Sequence, residues 1–436
     1  MSAKFSVTLG VILGATLVSG AYDQTPDLTI VPLDHPAIRY ADTPAEDPVA
    51  RLNQQLANGK ATLEFRSDGL GYLRSVLEKL GVNPDSQMLV FSKTSFQAAR
   101  ISPRNPRALF FADDVMVGSV RGGDVLEFAA LDPRQGYVFY TLDIAQSEKP
   151  QFVRRDSCLQ CHQGPASLGV PGIMVGSVYP DATGMPASRM GNPVTDDRTS
   201  IQDRWGGWYV TGTHGGMSHK GNAVALDAGH PDVLETRGTQ NVTSLAAKFT
   251  PDGYVSRVSD IVALMTLEHQ TRMTNLMLRA GWDARVAEYD PGSGGNTGDP
   301  AALARLDSDV EGLVDYMLFV DEARLYDRIE GVSTFSRTFA ERGPRDKQGR
   351  SLRDFDLEKR MFRYPLSYMI YSAAFDAMPD MIREHVYQRL YDVLAGKDQS
   401  AKFVRLSGAD RANILEILRE TKPGLPAYWQ KTIARN

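Results

Sequence analysis

Both cysteines of this 436-residue chain stand three positions apart, and a histidine directly follows the second, in S-C-L-Q-C-H-Q-G-P from Ser157 to Pro165. With two cysteines and seven histidines in the whole chain, chance gives this arrangement odds on the order of 10⁻⁴, so it constrains the fold as a C-x-x-C-H unit. Each thiol of such a unit can add to one vinyl group of the same porphyrin, and the turn between them brings the next imidazole beneath the iron. Cys158 and Cys161 therefore read as thioether anchors of one haem c, and His162 as its proximal metal ligand. Two other chemistries compete. A redox dithiol wants the motif to open a helix after a strand, and it gives the histidine no task. A closed zinc site needs four ligands, and the chain has no second C-x-x-C.

The amino terminus points the same way. Lys4 precedes an apolar run, Phe5 to Val18, that ends in the small residues Ser19, Gly20 and Ala21. That is the pattern of a cleavable secretory signal, and the run is shorter than the roughly 20 residues that span a bilayer. The expectation is a periplasmic or otherwise exported protein with no stable membrane span. Loss of Lys4 with the signal takes the formal charge from −5 to −6, which does not suit a nucleic-acid or anionic-membrane binder.

About 415 residues remain, enough for two or three domains and far more than a simple electron carrier needs. The fold class is read as α+β. A signal at 1–21 precedes an antiparallel β-rich domain at 22–150, a loop-rich haem-binding middle at 151–257 and a helical domain at 258–436. Residues 22–50 form an extended arm that includes His35, and 52–80 carry a helical rhythm broken at Ser67, Asp68 and Gly69. Short β-branched or aromatic runs follow at 87–92, 108–111, 115–120, 125–131 and 137–142. Turn signals such as Gly122-Gly123 and Asp132-Pro133 separate them, as in a hairpin-connected sheet.

Beyond the motif, residues 164–192 suit no regular structure, and a loop this long commonly wraps something. Met174, Met185 and Met190 lie there as possible sixth ligands or as gap-filling apolar residues. The stretch R-W-G-G-W-Y-V-T-G-T-H-G-G-M-S-H-K-G-N, 204–222, is the second focus. Its glycines allow close backbone approach. Trp205 and Trp208 are read as cofactor-binding, His214 and His219 as metal ligands or acid/base groups. Arg204 is read as a propionate partner or an ordinary ion pair.

The clearest helix is expected over 259–281, capped by Ser259 or Asp260 and closed by Gly281. His269 lies on its apolar stripe, either as a buried hydrogen-bonded imidazole or as a third catalytic candidate, while Glu268 points about 100° away. A linker at 291–300, a helix at 301–324, a charged mobile segment at 342–356 and helices at 381–395 and 408–421 complete the chain. His385 is expected on a helix surface.

The C-L-Q-C-H motif resembles c-type cytochromes. The blocks R-W-G-G-W-Y-V-T-G-T-H-G, S-D-I-V-A-L-M-T-L-E-H-Q-T-R-M-T-N-L, Y-P-L-S-Y-M-I-Y-S and T-K-P-G-L-P-A-Y-W resemble large exported bacterial cytochrome c domain-containing proteins. The resemblance implies haem binding and redox work, without a reaction. Three functions are in play: electron transfer to a redox partner protein, a peroxidase- or oxygenase-like haem oxidoreductase acting on a small-molecule oxidant or substrate, and an envelope binding protein with structural haem.

Overall fold

The computed structural model describes residues 30–250, 252–289 and 300–430. The expected signal at 1–21 and all but the last residue of the linker at 291–300 lie outside them. The helical rhythm before the strands resolves into α1 (Pro48–Ala57) and α2 (Leu73–Lys79), interrupted near 67–69 as expected.

The β-branched runs become β1 (Met88–Val90), β2 (Arg107–Phe111), β3 (Val115–Val120), β4 (Val125–Asp132) and β5 (Gly136–Asp143). The two-residue strand β6 (Val153–Arg154) follows β5. Each is antiparallel to the next. After β6 the chain forms α3 (Leu159–His162) and two short strands that pair with each other, β7 (Val175–Gly176) and β8 (Val194–Thr195). It then returns as β9 (Trp208–Tyr209) to lie beside β1, giving the order β6-β5-β4-β3-β2-β1-β9.

Alternation along each strand gives this sheet two differently used faces. Tyr140 Oη donates to Asp47 Oδ2 at 2.5 Å, and the other carboxylate oxygen of Asp47 caps α1 through the N–H groups of Val49 and Ala50. Its neighbour Phe139 points the other way, with its ring 4.8 Å from that of His162. The face bearing Phe139 is the one that α3 covers.

The core of the second half is α4 (Ile261–Tyr289), whose first N–H groups are satisfied by Asp260 Oδ1. It runs past Gly281, where the sequence suggested an end. Trp282 and Ala284 beyond that glycine are fully buried, and their packing outweighs the roughly 1 kcal/mol that a glycine costs inside a helix. β10 (Gly212–Thr213) pairs with β11 (Glu330–Gly331) near the start of α4. The remaining helices are α5 (Pro300–Met317), α6 (Phe335–Glu341), α7 (Ala373–Asp376), α8 (Asp380–Leu394) and α9 (Gly408–Thr421). α5 stops short of the expected Arg324, and Phe319 just beyond it takes a left-handed φ of 54°. The fold is α+β, and one contiguous apolar cluster draws on side chains from Val31 to Trp429.

The charged segment 342–356 is pinned rather than mobile. Arg350 bonds Asp346 at 2.6 Å and Glu416 at 2.9 Å, Arg353 pairs with Asp113 across the core, and Ser351 and Leu352 are fully buried. Arg350, Arg353 and Asp346 pair within the fold, while Arg342 and Lys347 stay exposed. Among the described residues no helix is long and apolar enough to cross a membrane.

A buried ion pair fixes α4 against the loop before β9. Arg204 Nη1 donates to Glu268 Oε2 at 2.9 Å, while its other nitrogens donate to the carbonyls of Thr199 and Asp197. Thr195 Oγ1 donates to Glu268 Oε1 at 2.7 Å. Removing one partner strands the other charge in the core, which costs about 3–5 kcal/mol. Glu268→Ala should lose that much in urea unfolding, with Glu268→Gln losing less; a loss below about 1 kcal/mol for the alanine variant would contradict this account.

Candidate functional site

α3 is a single turn that follows a 3-10 turn at Asp156–Cys158, so the whole C-x-x-C-H unit is compact. Both cysteines are free thiols, Cys158 half-buried and Cys161 exposed. His162 is held by the backbone of one residue from two directions. Gly172 N–H donates to the His162 carbonyl at 2.8 Å, and His162 Nδ1 lies 3.0 Å from the Gly172 carbonyl. A carbonyl only accepts, so Nδ1 carries the proton and Nε2 keeps its lone pair. Burial pushes the His162 pKa down, which keeps the ring neutral. A neutral imidazole with Nδ1–H bound to a carbonyl is the form that ligates a metal through Nε2.

Gly172 has no room for a side chain, since a Cβ there would stand 2.3 Å from Asn275 Oδ1 of α4. Asn275 Nδ2 in turn donates to the Ile173 carbonyl at 2.8 Å, and Tyr137 N–H to the Pro171 carbonyl at 3.0 Å. The loop that holds His162 is thus tied to both α4 and β5. Register puts Leu109, Met116 and Ala129, each 7% exposed, on the sheet face that bears Phe139, while Phe110, Val117 and Ala130 on the other face are fully covered. Two free thiols beside an oriented, neutral imidazole are the donor set that a covalently held porphyrin would need.

The competing dithiol gains one feature and lacks another. The motif does follow a strand and open a helix, but α3 is one turn long, and burial pushes the Cys158 thiol up rather than down. A reactive dithiol needs a depressed thiol pKa. Among the described residues no cluster of three or more His, Cys, Asp or Glu is placed to hold a metal ion by itself.

The second focus, 204–222, folds elsewhere. Arg204 is the structural ion pair described above. Trp205 is fully buried in a left-handed conformation, and Trp208 Nε1 donates to the Gly176 carbonyl at 2.9 Å. The glycines let the chain approach itself: a Cβ at Gly206 would lie 2.0 Å from the Val178 carbonyl oxygen, and one at Gly212 would lie 2.4 Å from Ile261. β9 and β6 are opposite edges of the sheet, six steps or about 29 Å apart along it. Gly212 packs at Ile261, near the start of α4, and Gly172 at Asn275, about 21 Å further along it. The structure therefore does not bring His214 or His219 to the open side of His162. It pairs them with each other, ring centroids 4.8 Å apart, and sets Trp205 5.4 Å from His219. His214 Nε2 accepts from Asn241 N–H at 3.1 Å, and Gln240 clips the His219 backbone at both N–H and carbonyl.

His269 takes the bland alternative. Its Nε2 lies 2.7 Å from Ser367 Oγ and its Nδ1 3.2 Å from Asp197 Oδ2, with the ring stacked on Phe319 at 4.5 Å. The order Ser-His-Asp is that of a hydrolase triad. All three side chains are nonetheless buried, and Ser367 Oγ also accepts from Met369 N–H to cap a 3-10 turn. The group is a polar tie between α4, the 195–199 loop and the segment after α6. Glu268 and His269, about 100° apart around the helix, reach the same loop through Thr195 and Asp197 because it wraps the helix. Met185 is exposed and Met174 and Met190 are half-buried; none has a recorded contact with His162.

Sequence reasoning missed Gly172 and Phe139, and with them Arg107 and Glu127, which pair on the motif's face of the sheet. A signal for the last was present: Glu127 interrupts the apolar run V-L-E-F-A-A-L at an inward position. Comparison with family models, curated proteins and solved structures returns no match.

Burial, aided by neighbouring His214, pushes the His219 pKa down to about 3. Because the folded value lies below the ordinary 6.5, this imidazole contributes stability that is fully present above about pH 6.5 and is lost as pH falls toward 3. His219→Gln should flatten the unfolding free energy against pH in that window by close to one proton. Parallel curves for the two proteins would rule this out.

Proposed function

We propose that the chain is an exported c-type haem protein that transfers single electrons through one haem covalently attached at Cys158 and Cys161. The observation that carries this reading is the two-way clamp of His162 by Gly172, which presents a neutral Nε2 beside two free thiols. When bound, the haem supplies a one-electron couple at iron. The chain's own residues do the rest. Cys158 and Cys161 fix the edge of the macrocycle, His162 holds one axial position, and Gly172 keeps its ring oriented. Leu109, Met116, Ala129 and Phe139 supply an apolar wall that excludes water, which favours the less charged reduced state.

Catalysis would ask for a positioned acid/base group near the iron. His214, His219 and His269 are engaged elsewhere in the fold, and this supports a carrier over a peroxidase- or oxygenase-like enzyme. The exposed Cys161 marks the side on which a redox partner protein would approach the haem edge.

Replacing Cys158 and Cys161 with Ala should abolish haem that survives acid-acetone extraction, and His162→Ala should shift the Soret band of whatever haem remains. Full covalent haem in the double variant would reject the assignment. A resting ferric protein that reacts rapidly with peroxide would move the function to the enzyme class.

A further inference from the structure

Arg107, near the start of β2, leans back across Gly118 to pair with Glu127 of β4. Its guanidinium needs that glycine: a Cβ at 118 would lie 2.7 Å from Nη2 and 3.0 Å from Nε. Glu127 is buried and already served by other donors, Ser95 Oγ at 2.9 Å and Gln97 Nε2 at 2.6 Å. The carboxylate thus holds the arginine more than it depends on it. Arg107 Nε is buried and has no acceptor among the described residues. Leaving such a donor unmet is costly, the more so on a charged group. Register puts the pair on the sheet face that bears Phe139, and Glu127 stands opposite Thr141, whose hydroxyl accepts from Arg155 just before the motif.

We propose that Arg107 is the anion-holding group of the haem crevice, its free Nε–H donating to an anionic oxygen on the haem side of the sheet. This rests on the haem reading above. The acceptor chemistry is a carboxylate or a small anion, from either a haem propionate or an anion bound at the iron. Arginine suits both, since its donors lie in a fixed plane and it stays charged.

The test uses the haem-loaded protein, with covalent haem counted first by pyridine haemochrome. Absence of that haem from the unaltered protein would overturn the haem reading and this inference together. Arg107→Gln should keep its haem. A lower reduction potential with unchanged azide binding to the ferric form assigns the propionate. A roughly tenfold weaker azide affinity assigns the iron-bound anion. Arg107→Lys should recover part of either effect, which a packing role would not. Should Arg107→Gln fail to fold, Glu127→Gln serves: it keeps the cation, removes its counter-charge and should raise the potential. Full haem with unaltered potential and azide affinity in the variant that folds would overturn the role of Arg107 and leave the haem reading standing.

Discussion

The interaction on which the rest of the structure depends is the buried pair between Arg204 and Glu268. Burial pushes the Glu268 carboxyl up to about 7, against the pull of the guanidinium, so the pair gives little net stability for its desolvation. Its value is positional. Arg204 also spends its remaining donors on two carbonyls of the 195–199 loop, and Thr195 completes the carboxylate. Any shift of α4 by one residue would part both carboxylate oxygens of Glu268 from Arg204 Nη1 and Thr195 Oγ1 at once. The helix that crosses the whole second half is thereby locked in register to the segment that delivers β9 to the sheet.

That lock explains why the Gly- and Trp-rich stretch was misleading as sequence. Glycine, tryptophan and histidine in one loop read equally well as the face of a flat cofactor or as a place where two parts of the chain press together. The energetic difference lies in what occupies the contact, and spacing does not encode it. Val178, Ser92 and Ile261, which the glycines actually meet, come from three distant parts of the chain. The same holds for His269, whose partners Asp197 and Ser367 lie 72 and 98 residues away.

What was legible was local. The five longer strands appear within two residues of the β-branched runs, because alternation and turn residues act over a few positions. Asp260 as a cap and the helix at 408–421, which the structure starts with a Ser407 and Asp410 capping box, were equally local, since each depends on side chains two or three residues from the backbone they serve. Glycine 281 failed as a stop signal for the opposite reason: the tertiary burial of Trp282 is invisible to propensity. Within the candidate site, Cys158, Cys161 and His162 stand out in the sequence because the proposed covalent attachment of a haem would require that spacing. Gly172, Phe139 and Arg107 were not, because they act through backbone or through folding.

The motif itself is brief, yet its imidazole is among the best-anchored side chains of the region. His162 is bonded to Gly172, the flanking carbonyls of Pro171 and Ile173 are taken by Tyr137 of β5 and Asn275 of α4, and the ring rests on Phe139. Sheet and helix therefore set its position jointly, and turning the ring would break its bond to the Gly172 carbonyl and its contact with Phe139. Were His162 the axial ligand proposed, it would resist displacement as the charge at the metal changes, and a site that reorganises little between oxidation states would pass electrons with a lower barrier. On the proposed reading, the length of the chain beyond what a small carrier needs has a physical use, because α4 and the loops locked to it are what hold Gly172 still.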